Sequence, residues 1–292
     1  MSTLATRLRF AALAAAAAVL IAACGSSNSS SSASSSAAPA AASSTTSAAA
    51  SSGKTYVAIT SADFPPFSSR AADNPNTIVG FEPDMVKALM AHLGWKYKWA
   101  TADFDGLIPA VQSGRADMVV SDVYDTAARE KVVDFIDYLK TALSLMVTSS
   151  NASKVHGWMD VCGKPVGILT GAATELEFAQ KASKACTAAG KPAIDIHSYS
   201  AVAQEVPALK NGNLYAMYED TITEHLIANK QPVFKVVFDD PEASTPLGIA
   251  VKKGSPIEAQ LKSAMKWYVA SSQYKDTATK WGLPASALVS QP

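Results

Sequence analysis

Two segments ninety-eight residues apart carry the same polar punctuation. Pro109–Asp122 reads PAVQSGRADMVVSD and Pro207–Asp220 reads PALKNGNLYAMYED, with Pro, Ala, Gly and a final Asp at matching positions. Each parses as a short helix, a Gly able to take the left-handed C′ conformation, a hydrophobic strand, and an acid at the strand's carboxyl end. Ligands of open α/β sheets gather at such ends, so Asp122 and Asp220 are acids offered to a shared cleft by two similar lobes. Helix–Gly–strand is a common phrase, and chance recurrence is the competing reading. A cation follows the first acid. Thr126 is a good N-cap for a helix from Ala127, which puts Arg129 in the first turn, at the positive end of the macrodipole. An arginine there makes sense when an anion joins it, because free N–H groups and a forked guanidinium together form a carboxylate site. The plainer alternatives are a solvated surface arginine for Arg129 and simple N-capping of a helix at Thr221 for Asp220.

Alternating strands and helices must position these groups. Tyr56–Thr60 reads as a strand, and Pro65-Pro66 stiffens the loop after it, where Phe64 is available to a cleft or to the core. Pro83 marks a first helical turn, Met85, Leu89 and Leu93 share one face, and Gly94 stops the helix. Trp95–Trp99 alternates as a strand with one wet face. Leu107–Ser113 and Val119–Ser121 are the helix and strand of the first repeated unit.

Not all of the 292 residues belong to that body. Arg7 and Arg9 precede an apolar run from Phe10 to Ala23, too short to span a bilayer of about 30 Å and typical of a secretory signal at 1–23. Ile21-Ala22-Ala23-Cys24 matches a bacterial lipobox, with Cys24 as lipidation site. Ordinary secretion with cleavage elsewhere is the alternative. The Ser/Ala-rich stretch 24–53 has nothing to bury and reads as a disordered tether reaching about 30 Å. Losing the two leader arginines takes the formal charge from 0 to −2, which does not suggest nucleic acid as partner. Cys162 and Cys186 remain as an even pair, expected to form one disulfide in an oxidising compartment. The four histidines are isolated and without ligand spacing, so neither metal nor cofactor is expected.

Gly80-Phe81-Glu82-Pro83-Asp84, Phe104-Asp105-Gly106-Leu107-Ile108-Pro109-Ala110, Ser113-Gly114-Arg115-Ala116-Asp117 and Thr126–Phe135 stand in order along the chain. Val166-Gly167-Ile168-Leu169-Thr170-Gly171 and Leu209-Lys210-Asn211-Gly212 continue the series. The ordered set resembles extracellular solute-binding protein family 3, the polar amino-acid receptors of bacterial ABC importers. The resemblance implies the type II periplasmic-binding fold: two three-layer α/β lobes joined by a two-crossing hinge that closes on ligand. Lobe 1 is expected over 54–146 plus 246–292 and lobe 2 over 147–245, with crossings near 147–149 and 244–247. It also implies an extracytoplasmic, lipid-anchored monomer that hands a small polar ligand to an ABC permease and its ATPase.

In that family the residue matching Arg129 grips the ligand carboxylate, that matching Asp220 takes the ammonium, and aromatics at Phe64 and Phe104 flank the side chain. The implied ligand set also includes Ser121, Asp122, Tyr124, Gly171, Ala172 and Thr174. An amino acid in a closed cleft brings two charges that must both be paired, which gives Arg129 and Asp220 the largest expected contributions. Three positions depart from the family pattern. Asp122 stands where Gly or Ser is usual, and Tyr124 and Ala172 stand where hydroxyl residues are usual. Two acids against one arginine point to a cationic or amine-bearing ligand. Alternatively, Asp122 pairs with Arg129 and blocks a carboxylate. Beside the receptor role stand an enzyme on the same fold, similar to a cyclohexadienyl dehydratase with Glu219 or Asp220 as general acid, and a ligand-sensing input module.

Overall fold

The chain's computed structural model describes residues 53–292. The expected leader, Cys24 and all of the tether except Gly53 lie outside the described residues. Strand β1 (Thr55–Thr60) is followed by a small antiparallel ribbon of β2 (Asp63–Phe64), β3 (Ser68–Arg70) and β4 (Ile78–Val79). Helix α1 (Phe81–Leu93) buries Phe81, Met85, Leu89 and Met90, and Gly94 ends it in the left-handed conformation at φ 66°. Then come β5 (Lys96–Thr101), α2 (Leu107–Gln112) and β6 (Met118–Val119), the last shorter than the expected strand 119–121 because Ser121 and Asp122 turn away into a loop. Strand β7 (Val133–Thr148) leads into β8 (Pro165–Leu169), α3 (Ala173–Ala188), β9 (Asp195–Tyr199), α4 (Val202–Lys210), β10 (Ala216–Asp220) and α5 (Thr221–Lys230). Strand β11 (Phe234–Lys252) returns, and α6 (Glu258–Ala270) and α7 (Ser272–Lys280) close the chain.

The eight main strands run in the order β5-β1-β6-β11-β7-β10-β8-β9. β1, β5 and β6 pair in parallel on one side, and β10, β8 and β9 on the other. The long antiparallel ribbon β7–β11 joins the two sides, so each half is a small α/β sheet sharing two strands with its neighbour. This is the two-lobed α/β arrangement. Leu143, Leu145, Met146 and Val147 are fully buried, as expected of a near-continuous apolar run in a strand covered on both faces. The ribbon changes register where Leu143 faces Asp240 but Thr141 faces Thr245. Leu143–Val147 pair with β10 of the second half as well as with β11, so the ribbon runs on into that half.

Both repeated units keep the expected order of helix, glycine and strand, with Asp220 ending β10 but Asp122 three residues beyond β6. Gly114 and Gly212 follow their helices at φ 76° and 78°, a conformation that would strain any residue with a Cβ. Cys162 and Cys186 are disulfide-bonded with a sequence separation of 24, tying the approach to β8 onto the end of α3. A closure of that length contributes roughly 3 kcal/mol in the chain-entropy model. No helix among the described residues is long and apolar enough to cross a membrane.

Candidate functional site

A small hollow of about 20 Å³ lies at the junction of the two halves. Its first wall is aromatic. Phe64, on β2, and Phe104, in a 3₁₀ turn before α2, sit with ring centroids 5.6 Å apart, and the Arg129 guanidinium stands 5.8 Å from the Phe104 ring. Arg129 does not begin an α-helix from Ala127. It opens one 3₁₀ turn, Arg129–Lys131, because the β-branched Val132-Val133 carries the chain directly into β7. Ala128 is the residue before this turn, and the Thr126 Oγ1 accepts from the Arg129 N–H at 3.3 Å. So short a turn has little dipole, and the guanidinium is held by carbonyls instead. Nη1 donates to the Tyr124 oxygen at 3.0 Å and Nη2 to the Gly171 oxygen at 3.4 Å, the second bond crossing between the halves.

The loop after β6 supplies the next wall. Asp122 has φ 51°, a left-handed conformation that Asp tolerates better than most residues, and its N–H donates to Glu82 Oε1 at 2.7 Å. Glu82, in the first turn of α1, also accepts the Tyr138 hydroxyl. Tyr124 forms an isolated bridge with Leu247 of β11, and its hydroxyl lies 3.1 Å from the Ala142 carbonyl oxygen and 3.2 Å from Asp220 Oδ2. From the second half come Ala172, Thr174 and Glu175 at the start of α3, together with Asp220. Asp220 caps α5, Oδ1 accepting from Ile222 at 2.8 Å and Thr223 at 3.0 Å. The capping alternative is thus realised, while the residue also lines the cavity.

Eight of the ten expected site residues share this wall: Phe64, Phe104, Asp122, Tyr124, Arg129, Ala172, Thr174 and Asp220. Ser121 lies outside it, fully buried, its Oγ accepting the Ser61 N–H at 3.0 Å and tying β6 to the loop after β1. Gly171 contributes through its carbonyl on Arg129. Glu175 was not foreseen. Its Oε2 accepts the Leu169 N–H at 2.8 Å, and the available signal was an acid in the first helical turn after Thr170-Gly171. No ion pair joins Asp122 to Arg129; the ion pairs among the described residues lie elsewhere.

Burial dominates the electrostatics. It raises Asp122 well above the ordinary carboxylate range, helped by the charges of Asp220, Glu82 and Glu219 and opposed by Arg129. Burial also lifts Asp220 to about 6, against hydrogen bonds from Thr141, Thr223, Tyr124 and Ile222. Glu175 is raised well above its usual value by burial and then by Glu219 and Glu205. Tyr124 is raised by burial and the neighbouring acids, so it stays a donor. Burial lowers Arg129 while Glu175 leads the charges that oppose the shift. A half-buried cation beside costly carboxyls is an arrangement for holding a molecule that carries both signs of charge.

The model of bacterial extracellular solute-binding proteins, family 3, matches residues 56–284. Arginine-binding extracellular protein ArtP of Bacillus subtilis is 29% identical over 232 residues, 79% of this chain and 87% of that protein. The L-arginine-binding protein of Pseudomonas aeruginosa is 28% identical over 228 residues, covering 75% and 85%. Among solved structures, an ancestral arginine-binding protein bound to arginine superposes with TM-score 0.70 at 29% identity, covering 78% of this chain and 97% of that one. The ancestral amino acid-binding protein AncCDT-1, a precursor of cyclohexadienyl dehydratase, superposes with TM-score 0.69 at 27% identity, covering 78% and 95%.

Proposed function

The chain belongs to the bacterial extracellular solute-binding proteins, family 3, and on that premise we propose that it is an extracytoplasmic receptor for an amino acid or related amine. It captures the solute by closing its two halves and delivers it to an ABC permease with its ATPase. One observation carries this reading: a guanidinium and several carboxyls face the same small hollow between the halves without neutralising one another. Arg129 is the grip for the solute carboxylate, the acids for its cation, and Phe64 with Phe104 for its side chain. Lobes over 54–146 plus 246–292 and over 147–245 move about the β7–β11 ribbon. Cys24 carries the lipid that anchors the monomer outside the cell membrane.

Binding is favoured over catalysis by the acids themselves. Glu219 does not line the cavity, and Asp220 already accepts hydrogen bonds through both oxygens. Thermal unfolding across amino acids, polyamines and opines tests the reading. A solute at 100 times its Kd stabilises by about 2.7 kcal/mol, or roughly 5–10 °C for a body of this size. A panel without any shift, confirmed by calorimetry, refutes it.

The buried acids also set a pH dependence. Asp220 is raised above its unfolded value of 3.8 to about 6, so its contribution to stability is full at low pH and is lost as pH rises through about 6. Binding of a cationic amino acid needs the ionised form and runs the other way. From pH 7 to about 5, affinity for L-arginine is expected to fall while the Asp220 contribution to ligand-free stability grows. Titration calorimetry at both pH values checks this, and affinity that rises on acidification contradicts it.

A further inference from the structure

Helix α4 starts in the second half without a cap of its own. Ala201 stands at the N-cap with extended backbone, φ −156° and ψ 142°, and its side chain has no acceptor to offer. The Gln204 N–H turns back to the Ala201 carbonyl at 2.9 Å. The N–H groups of Val202 and Ala203 have no partner within the helix, as at any helix start. Asp63 of the first half fills this place. Its Oδ2 accepts the Ala203 N–H at 3.3 Å, across 140 residues of sequence, and Val202 is a second backbone donor to it.

The first half aims this carboxylate. Strand β2 is Asp63 and Phe64 alone, and successive strand side chains point to opposite sides. Phe64 lines the hollow, whereas Asp63 does not and reaches α4 instead. Ala62 turns the chain between β1 and β2 at φ 56°, an uncommon conformation for a residue with a Cβ. Its N–H is held by Thr60 Oγ1 at 3.2 Å, and the Ser61 N–H by Ser121 Oγ at 3.0 Å. The carboxylate is thus fastened to one half and bonded to a helix that belongs to the other. A negative charge there also meets the positive end of the α4 dipole.

Granting the receptor reading, we propose that Asp63 is a positioning residue for capture: its carboxylate completes the start of α4 only when the two halves meet, and so holds the receptor closed without touching the solute. When the halves part, the Val202 and Ala203 N–H groups return to water and the cap is lost. The bond favours the closed state alone, so it raises affinity for every solute that closes the cleft by one common factor. A contact with the solute acts otherwise, because it distinguishes one solute from another.

Titration calorimetry with L-arginine, L-lysine and L-glutamine, together with thermal unfolding of the ligand-free protein, tests this. Asp63→Ala is expected to weaken each probe that the wild type binds by about tenfold, within the roughly 2- to 30-fold that a lost N-cap represents. The factors are expected to agree within about twofold, and the loss to appear in the dissociation rate. The ligand-free unfolding midpoint is expected to move by less than about 2 °C. Asp63→Asn keeps an acceptor without the charge; it should fall between alanine and wild type, and it carries the test if the alanine variant does not fold. Ala201→Ser gives α4 a cap of its own in both states, and in that background Asp63→Ala is expected to cost less than about threefold. Unchanged affinity in Asp63→Ala overturns the assignment. So do losses that differ more widely among the probes, which mark a contact with the solute, and a larger fall in the ligand-free midpoint, which marks a structural role. An undiminished loss in the Ala201→Ser background shows that the bond to α4 is not its source and overturns it as well. A wild type that binds none of the three probes also overturns the assignment, and the wider panel above then decides whether the receptor reading falls with it.

Discussion

Arg129→Ala is expected to abolish the stabilisation that an amino-acid ligand confers, while the ligand-free protein unfolds close to the wild-type temperature. Removing one partner of a buried, hydrogen-bonded charge pair costs about 2–5 kcal/mol, or roughly 30- to 5,000-fold in affinity, because the ligand carboxylate is left unpaired. Little of the fold depends on this side chain. It sits on a single 3₁₀ turn and bonds two carbonyls, only one of which lies across the halves. Arg129→Lys keeps the charge but not the fork, so it should lie between alanine and wild type. Calorimetry with L-arginine and with the best ligand of the panel measures both variants. Wild-type affinity in Arg129→Ala would remove the carboxylate grip from the proposed mechanism.

Gly171→Ala should have an effect of similar size through geometry alone. Gly171 has φ 89°, and a Cβ there would lie 2.8 Å from both Cα and Cβ of Asp105. Asp105 belongs to the turn before α2 in the first half, whereas Gly171 precedes α3 in the second. The collision therefore exists only while the halves are together. Backbone strain at such a φ costs of order 1–3 kcal/mol in any state. The contact with Asp105 adds a penalty to the closed state alone, and a closed state made less accessible lowers affinity in proportion. The expected result is at least about 100-fold weaker binding. A second expected result is loss of the ligand-induced decrease in radius of gyration seen by small-angle scattering. A variant that compacts with ligand as fully as wild type would show that closure does not bring these two backbones together.

Much of this was legible along the chain because it is local. Proline, helix, glycine and strand recur in both units because each is set by neighbours a few residues away, and Gly114 and Gly212 adopt the left-handed conformation that the pattern requires. Arg129, Asp122 and Asp220 stood out through charge at strand and helix ends. Other features were not legible for equally physical reasons. The helix expected from Thr126 contracts to one turn because β7 claims Val133 onward, a tertiary preference that outweighs a good cap. Glu175 looked like an ordinary first-turn acid until α3 was set against the cavity.

Residue type and spacing were enough to establish two α/β units, the cysteine pair, and a guanidinium with acids at the cleft-facing ends of the elements. They left open whether Asp122 neutralises Arg129, and whether Asp220 is a cap or a contact. In the folded arrangement Arg129 turns to carbonyls, and Asp220 caps α5 while lining the hollow, within 3.2 Å of the Tyr124 hydroxyl ninety-six residues away. Such pairings depend on distances between side chains remote in sequence, and those distances exist only once the β7–β11 ribbon has brought the two halves face to face.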